Sequence, residues 1–477
     1  MKTYTGKLNF KESPFFFVFD GRILKLIPEN VETDDSIKYE EFVPGVYTYR
    51  NSITIEDNCL IGSCYETGKK IIFLFMKGST LIANKEIFVS RPVAFVVINR
   101  EKDVINRISF KCQELDLIYP VGQAYNVEFT DNDKNDVIFK AETKSVNELT
   151  TESRNFSFDG VNIKLSFSIS EVVQTKTNRP LEFSSILHFE VGNIKDYFFV
   201  YRLSCVTLNF FQFLCNRNNI TFDSIELESQ LQNGLNVKFA EFSLLRDINP
   251  DDYDVIKKRF IPYKDICGFE HILMQEIADK TLYLRHIPDS YRLNSRIDAA
   301  TFVMITAAFE WEYSNLYPNG FPKKRRVVNA ETAARKTIDI IIEQKKNENV
   351  DKKELEIYYN FRDEIGRFDS LESKIMHVRK DLSSIVDLYG KYLYKINHIK
   401  ISEYNKMGNR IANQRNKFAH GNLSKDFDEL SSLDIYFLKM IVYAMQMKKM
   451  NIPDKNIKDA IYNLFFSGII ITDSNEI

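Results

Sequence analysis

The sequence predicts an α+β protein of several domains, in which a β-rich sandwich or barrel-like domain precedes an all-α, up-and-down helical bundle. The chain has 477 residues, which is more than one ordinary hydrophobic core holds. Residues 1–190 contain short apolar runs and period-two alternation, whereas helical periodicity dominates after Pro288. We therefore predict a β-rich domain at 1–190, a mixed and largely helical connector at 191–288 that associates with this first domain, and a helical domain at 289–477.

Two β-hairpins are expected in the first domain. Asp20-Gly21 separates the apolar runs 15–19 and 23–27, and an Asp-Gly pair suits the type I′ turn of a hairpin. Asp159-Gly160 precedes residues 161–169, where apolar and polar side chains alternate. That alternation predicts a strand with one buried and one wet face.

The connector begins with a long apolar helix, predicted at Lys195 to Asn216. The segment contains Arg202, Asn209 and Gln212, and these polar residues favour a buried helix over a membrane span. Short strand-like pieces follow at 220–250. Helical residues then extend to about Lys280.

The C-terminal domain is predicted to be a series of helices joined by short links. Asp289 or Ser290 can cap the first of them, which runs to about Leu316. The later helices are predicted at about 329–347, 353–367, 370–396 and 402–420. A further helix is predicted to end at about Met450, and a last short helix begins at Pro453.

Charge and cysteine content narrow the class of protein. The chain carries a net charge of −2, with about +5 on residues 290–477 and about −7 before them. The stretch from Gly390 to Lys425 holds eight basic residues against one acid, Glu403. Six scattered cysteines form no C-x-x-C pair, and the N-terminus lacks a hydrophobic signal core. A cytoplasmic protein with reduced thiols is expected.

One stretch carries the chemistry that we single out, residues 414–422, with the sequence Gln-Arg-Asn-Lys-Phe-Ala-His-Gly-Asn. Gly421 predicts a helix end, so His420 would lie at a helix C-terminus, where the helix dipole favours the protonated imidazole. Histidine is a usable proton carrier near neutral pH, and Arg415 is a usable phosphate clamp. On a straight helix Arg415 and His420 lie about 140° apart, whereas Asn416 shares a face with His420. Either two facing copies of the helix or a bend at Gly421 would bring the arginine and histidine together.

This pattern resembles the R-X4-H motif of the HEPN superfamily, in its Arg-Asn-x-x-x-His form. Joined to a β-rich first half, it is similar to the ApeA family of bacterial anti-phage proteins. The resemblance implies a homodimer that pools two motifs in one active site and cleaves RNA without metal, with tRNA as one candidate substrate. The 2′-hydroxyl would attack the adjacent phosphate, giving a 2′,3′-cyclic phosphate and a 5′-OH. The implied role is anti-phage defence by abortive infection, with a phage-derived trigger as a further partner and no membrane.

Under this hypothesis the catalytic residues are Arg415, Asn416 and His420. His420 would carry the proton, Arg415 would hold the non-bridging phosphate oxygens, and Asn416 would orient the imidazole or the substrate. Basic residues of the helical domain could hold the RNA backbone, and three tyrosines could stack bases if exposed. The basic residues are Lys391, Lys395, Lys400, Lys406, Arg410 and Lys417, and the tyrosines are Tyr392, Tyr394 and Tyr404.

Other interpretations of the same residues stay open. An arginine and a histidine on one helix are often a solvated face, and tyrosines are often core residues. Glu310 and Glu312 could support the motif from another helix, although a helix-surface acid is the simpler interpretation. The remaining histidines show no metal-ligand spacing, so we expect no metal and no cofactor. The alternative functions are a non-catalytic HEPN domain that binds RNA or nucleotides, and a structural interaction protein.

Overall fold

The computed structural model divides the chain into two compact units. The first comprises Met1–Thr281 and Asp289–Tyr291, and the second comprises Leu282–Pro288 and Arg292–Ile477. The predicted connector is therefore split near Thr281, since most of it belongs to the same unit as the strands. The structure describes residues 3–29, 39–43, 46–49, 52–84, 87–132, 136–145, 148–173, 181–321, 325–366, 370–419 and 429–471.

The first unit is built on strands, as predicted. Within the described residues, fifteen strands form one antiparallel sheet in the order β15-β16-β17-β12-β18-β19-β11-β8-β7-β1-β2-β3-β10-β9-β6, and the pairs β4-β5 and β13-β14 stand apart from it. The strands are β1 (Tyr4–Phe10), β2 (Ser13–Phe19), β3 (Leu24–Pro28), β4 (Tyr39–Val43), β5 (Val46–Tyr49), β6 (Ser52–Thr54), β7 (Cys59–Cys64), β8 (Lys70–Leu74), β9 (Thr80–Asn84), β10 (Ile87–Ser90), β11 (Ala94–Ile98), β12 (Ile105–Lys111), β13 (Tyr125–Asn132), β14 (Asp136–Thr143), β15 (Arg154–Phe158), β16 (Val161–Val173), β17 (Leu181–Ile194), β18 (Ser224–Gln230) and β19 (Asn236–Leu244).

Both predicted hairpins are confirmed. The expected type I′ turn at Asp20-Gly21 was wrong, because Phe19 pairs with Leu24 across a longer loop and only Gly21 of the two has a positive φ. β2 pairs with β3, and β15 pairs with β16. The Asp20 carboxylate accepts hydrogen bonds from the backbone N–H groups of Arg22 and Ile23, both at 2.8 Å. At the second turn Asp159 and Gly160 have φ values of 48° and 76°, the left-handed conformation that a type I′ turn requires.

Part of the sheet curls around a core of its own. Phe17 on β2 and Phe73 on β8 lie three positions apart in the strand order, yet their ring centroids are 5.5 Å apart. Phe19 lies 5.0 Å from both Phe73 and Phe95. Strong curvature of this kind matches the barrel-like expectation. Within the described residues, however, the terminal strands β15 and β6 do not pair with each other, so the sheet remains open.

The described part of the first unit also contains five α-helices: α1 (Gln113–Ile118), α2 (Tyr197–Cys215), α3 (Tyr253–Ile256), α4 (Tyr263–Ile266) and α5 (Glu270–Ala278). α2 confirms the predicted long helix. Asp196 caps its start by accepting from Phe198 N, and Asn216 ends it in the left-handed conformation. Among the described residues α2 alone is long and apolar enough to cross a membrane, but 72% of its apolar window is buried inside the protein.

The second unit is helical, as predicted. Its helices are α6 (Ala299–Leu316), α7 (Arg325–Asn347), α8 (Lys352–Glu364), α9 (Leu371–Asp381), α10 (Ser383–Ile396), α11 (Ile401–Tyr404), α12 (Met407–Ala419), α13 (Glu429–Lys449) and α14 (Asp454–Ile461), followed by a π-helical turn at Tyr462–Phe466. α13 packs against α6, α10, α12 and α14. Its side chains from Ile435 to Met447 are almost all buried, as expected for the central helix of a core.

Three predicted helix boundaries were wrong. The first helix begins at Ala299 rather than near residue 289, because the Asp298 carboxylate caps it by accepting from Thr301 N at 2.8 Å. The stretch predicted as one helix at 370–396 breaks at Leu382. The stretch predicted at 402–420 breaks after Tyr404, so a short α11 precedes α12.

A candidate site at the end of helix α12

Helix α12 carries the predicted motif and has one buried and one exposed side. Gln414 and Phe418 are buried, and the Phe418 ring lies 5.5 Å from that of Phe302 on α6. Asn416 and Lys417 are exposed, and the Arg415 side chain is 40% exposed. The buried residues fix the helix in the core, so the polar residues project from a firmly held scaffold.

Arg415 pairs with Glu310 on α6, and the two charged groups approach to 3.6 Å between Nη2 and Oε2. The Glu310 side chain is 35% exposed. Ion pairs with this much exposure contribute only about 0–1 kcal/mol. The Arg415 guanidinium can therefore exchange Glu310 for another anion at little energetic cost.

His420 lies outside the described residues, as do Gly421 and Asn422. The structure therefore describes two of the three predicted catalytic residues, Arg415 and Asn416, and the distance from either to the histidine stays untested. The described residues end at Ala419, the last residue of α12, and resume at Glu429.

Glu312, the second acid considered beside the motif, has a different environment. It is 1% exposed and accepts hydrogen bonds from the Tyr283 backbone N–H at 2.8 Å and from Gln446 Nε2 at 3.1 Å. Lys449 approaches it to 3.5 Å. Burial raises the pKa of Glu312 despite these partners. Glu312 thus stabilises the packing of α6 on α13, whereas Glu310 is the acid that contacts the motif.

Arg410, predicted to contact RNA, lies in an internal charge network. Its guanidinium donates to both carboxylate oxygens of Asp434, at 2.7 and 2.8 Å, and to a carboxylate oxygen of Glu403 at 3.0 Å. It also donates to the Tyr394 hydroxyl at 2.9 Å. Its side chain is 12% exposed and that of Asp434 is 0% exposed. These contacts favour a structural role for Arg410 over the predicted RNA contact.

The pKa shifts in this network follow from its geometry. Burial acts to lower the pKa of Arg410, but the hydrogen bonds and charge of Asp434, together with Tyr394, outweigh it, so the pKa rises. The pKa of Tyr394 is raised, first by burial and then by the Asp434 carboxylate. The hydroxyl of Tyr394 also donates to Asp434. Arg410 therefore remains charged and Tyr394 neutral throughout the physiological range.

Two more of the predicted RNA contacts, Lys406 and Lys417, are exposed. Lys406 pairs with Glu403 at 2.8 Å. The hydrogen bond from Lys406 is the main reason that the pKa of Glu403 is lowered. Lys417 forms no ion pair within the described part of the chain, and it lies next to Asn416. Lys417 therefore offers an exposed cation near the end of α12, on a different side of the helix from Arg415, because residues two apart on a helix do not face each other.

The predicted base-stacking tyrosines are mostly core residues. Tyr394 and Tyr404 are 0% and 1% exposed, so the exposure that base stacking requires is absent. Their rings contact each other at 5.2 Å, and the Tyr404 hydroxyl donates to Asp387 at 2.7 Å. Tyr392 is half-buried and packs on Phe466 at 5.9 Å. The alternative interpretation of Tyr394 and Tyr404 as core residues was the right one.

Metal-binding chemistry has no candidate ligand set in the described part of the chain, where no group of three or more His, Cys, Asp or Glu side chains converges. No family model, no curated protein and no solved structure matches the chain. The HEPN resemblance therefore depends on the motif at 415–420 and on its position in a helical unit that follows a β-rich one.

Proposed function

We propose that the protein is a HEPN-type endoribonuclease of the ApeA-like kind, acting in anti-phage defence by abortive infection. The proposal is supported most directly by the setting of Arg415. This arginine lies half-exposed near the end of a helix whose other side is fixed in the core, five residues before His420. An exposed polar group on a rigid helix is a suitable scaffold for positioned chemistry.

The proposed reaction is transesterification within the RNA chain. His420 accepts the proton of a ribose 2′-hydroxyl, whose oxygen then attacks the adjacent phosphorus. The bond from phosphorus to the 5′ oxygen breaks, and that oxygen takes its proton from the imidazolium that the first step formed. The products are a 2′,3′-cyclic phosphate and a 5′-hydroxyl, and the balance of atoms requires no metal.

Arg415 stabilises the charge that develops on the non-bridging oxygens during this reaction. Its planar guanidinium can donate two parallel hydrogen bonds to a phosphate, which a lysine cannot. The exposed pair with Glu310, at 3.6 Å, is weak enough to be exchanged for a phosphate. Glu310 is therefore a weak competitor that a phosphate can displace from the guanidinium.

A homodimer is part of the proposal. Arg415 and His420 lie about 140° apart on one straight helix, so a single copy does not present them side by side. Two copies that face each other would place the arginine of one near the histidine of the other. The exposed Asn416 would then orient either the imidazole or the substrate.

RNA binding is assigned to Lys417 and Lys406, with Arg410 excluded by its internal contacts. Lys417 is exposed within the motif, and Lys406 is exposed in the link between α11 and α12. Lysines at such positions hold phosphates as point charges without reading the base sequence. We propose that the first unit senses infection or restrains the nuclease, because uncontrolled RNA cleavage would kill the host cell.

The test compares wild type with His420→Ala in bacteria challenged with phage, by sequencing RNA ends that carry a 5′-hydroxyl. We expect new ends in wild type that are absent from His420→Ala. His398→Asn is the matched control, since His398 is an exposed histidine of the same unit and its replacement should leave cleavage unchanged. Equal protection and equal RNA ends in wild type and His420→Ala would refute the nuclease. RNA binding without cleavage would instead favour a non-catalytic HEPN domain.

A further inference from the structure

The first unit contains a small cavity with an unusual concentration of arginines. Its volume is about 180 Å³. It lies where the β2–β3 turn meets the segment between β10 and β11 and the segment that follows β19. Its lining residues are Gly21, Arg22, Arg91, Leu208, Ile220, Thr221, Phe222, Leu244, Leu245, Arg246 and Asp247.

The charges around the cavity do not balance. Three guanidinium groups, those of Arg22, Arg91 and Arg246, line it together with one carboxylate, that of Asp247. Arg22 pairs with one oxygen of Asp247 and Arg91 pairs with the other. The cavity lining therefore has a net charge of two positive charges. The single Asp247 carboxylate bridges Arg22 and Arg91.

Arg246 supplies the charge that has no acidic partner. It donates to two backbone carbonyls, Ile220 O at 2.8 Å and Asn218 O at 3.2 Å. Within the described residues it forms no ion pair with a carboxylate. Burial lowers the pKa of Arg246, which reflects the cost of keeping its charge at the cavity wall. An anion in the cavity would offset that cost.

The other wall of the cavity is apolar. Leu208 and Ile220 are buried, and Phe222 packs against Phe110 and Phe211. The volume is below the ~300–1,000 Å³ of pockets that hold drug-sized ligands. The cavity therefore suits a single anionic group with a few adjoining atoms.

We propose that this cavity binds a small phosphate monoester, whose phosphate takes the place of the Asp247 carboxylate between Arg22 and Arg91. Both arginines can then donate paired hydrogen bonds to phosphate oxygens. The displaced Asp247 side chain is 45% exposed, so it moves into water at little cost. This inference depends on residues of the first unit alone and stands apart from the ribonuclease proposal.

The test is isothermal titration calorimetry on the full chain with three probes: inorganic phosphate, adenosine 5′-monophosphate and adenosine. We expect the monophosphate to bind and adenosine to give no signal. Inorganic phosphate binding as tightly as the monophosphate would mean that the phosphate alone is recognised, and weaker binding would mean that the apolar wall contributes. Binding of adenosine as tight as that of the monophosphate, or no saturable binding up to about 10 mM, would overturn the proposal.

Variants separate an anion site from a structural ion pair. Arg91→Ala should weaken monophosphate binding at least about tenfold, the loss expected for one charge-assisted hydrogen-bonding group. The matched control is Arg154→Ala, because Arg154 also forms an exposed pair with an acid, Glu152, at 3.2 Å. Arg415→Ala should likewise leave the affinity unchanged, which separates this cavity from the nuclease motif. Unchanged affinity in Arg91→Ala, or loss of binding in Arg415→Ala alone, would overturn the proposal.

Asp247→Asn gives the sharpest contrast. Removing the carboxylate removes the competitor for Arg22 and Arg91, so monophosphate binding should tighten several-fold. If Asp247 only holds the two arginines in place, the same change would weaken binding, and that result would refute the exchange. Thermal melting of each variant checks that the fold is retained.

Discussion

Arg410→Ala tests whether Arg410 holds the helical unit together or contacts RNA. Its guanidinium bridges Asp434 on α13 and Glu403 of α11, and it also contacts Tyr394 on α10. The change removes the guanidinium that donates hydrogen bonds to both oxygens of the Asp434 carboxylate, which is 0% exposed. A lost RNA contact would have no such consequence for stability.

The size of the effect follows from the burial of the pair. Removing one partner of a buried ion pair costs about 3–5 kcal/mol, because the remaining charge stays buried. For a unit of this size each kcal/mol shifts the melting temperature by about 2–4 °C. The helical unit should therefore melt roughly 6–20 °C lower. A double change, Arg410→Leu with Asp434→Leu, should recover much of this loss because both charges leave together.

Hydrogen exchange measured by mass spectrometry is the suitable assay, since it reports the two units separately. Peptides from α10, α12 and α13 should lose protection in Arg410→Ala, whereas peptides from β16 and β17 serve as an internal control. Lys417→Ala is the matched control. It should leave exchange unchanged but lower the slope of RNA affinity against salt by about 0.7, as expected for one lost phosphate contact.

Two results together would refute the structural role of Arg410. They are wild-type exchange protection in Arg410→Ala and a slope of RNA affinity against salt that falls as it is expected to fall in Lys417→Ala. That outcome would mean that the network around Asp434 opens in solution and releases Arg410 to RNA. Loss of protection with an unchanged slope would support the structural role.

Three further predictions concern other charged groups. Burial lowers the pKa of His188 to about 3, whereas an unfolded histidine has a pKa of about 6.5. The unfolded state therefore binds more protons at pH values between these two. The free energy of unfolding of the first unit should thus fall by ~2 kcal/mol between pH 6.5 and pH 5. Calorimetry at both pH values should detect this, and His188→Asn should remove it. Burial lowers the pKa of Lys439 to about 7, whereas an unfolded lysine has a pKa of about 10.4. The unfolded state therefore binds more protons between pH 7 and pH 9. The helical unit should thus gain stability, on the order of 2 kcal/mol, over that range. Lys439→Met should abolish that gain and stabilise the unit at pH 7. Glu310→Gln frees Arg415 from its carboxylate, and RNA affinity measured by mobility shift in a His420→Ala background should rise about two- to fivefold.

Distinct outcomes would contradict each of these three predictions. An acid transition that persists unchanged in His188→Asn would assign it to other groups. Stability that is flat from pH 7 to pH 9 would mean that water or a structural rearrangement keeps Lys439 charged. Weaker RNA binding in Glu310→Gln would mean that Glu310 is needed to position Arg415 for the phosphate.

Local backbone chemistry made much of the fold predictable. The hairpins at Asp20-Gly21 and Asp159-Gly160 depend on residues that adopt their turn conformation readily, and the alternation at 161–169 fixes which face is buried. Helix α2 was predictable because its apolar residues occur over many turns. The start of α6 was not, because several acidic or hydroxyl residues before it are equally good caps. Only the tertiary structure selects Asp298.

The sequence narrowed the acid that contacts the candidate motif to Glu310 or Glu312 but could not choose between them. A short pattern on one helix identifies Arg415 and Asn416, whereas Glu310 reaches Arg415 from α6, far away in sequence. No local signal pairs them. Glu310 and Glu312 are close in sequence and chemically alike, yet only the way α6 packs decides that one contacts the motif and the other is buried.

Counting charges along the chain overstated the basic surface near the motif, and the reason is physical. The excess between Gly390 and Lys425 includes Arg410, whose charge is balanced by Asp434, outside that window. It also includes Lys391, which pairs with Asp387 at 3.5 Å, again from outside the window. A linear count assigns each charge to its own neighbours, whereas a helical bundle pairs charges across helices. Within the described residues, Arg410 is thus removed from the proposed RNA contacts, which narrow to the exposed Lys406 and Lys417 in addition to the proposed clamp Arg415.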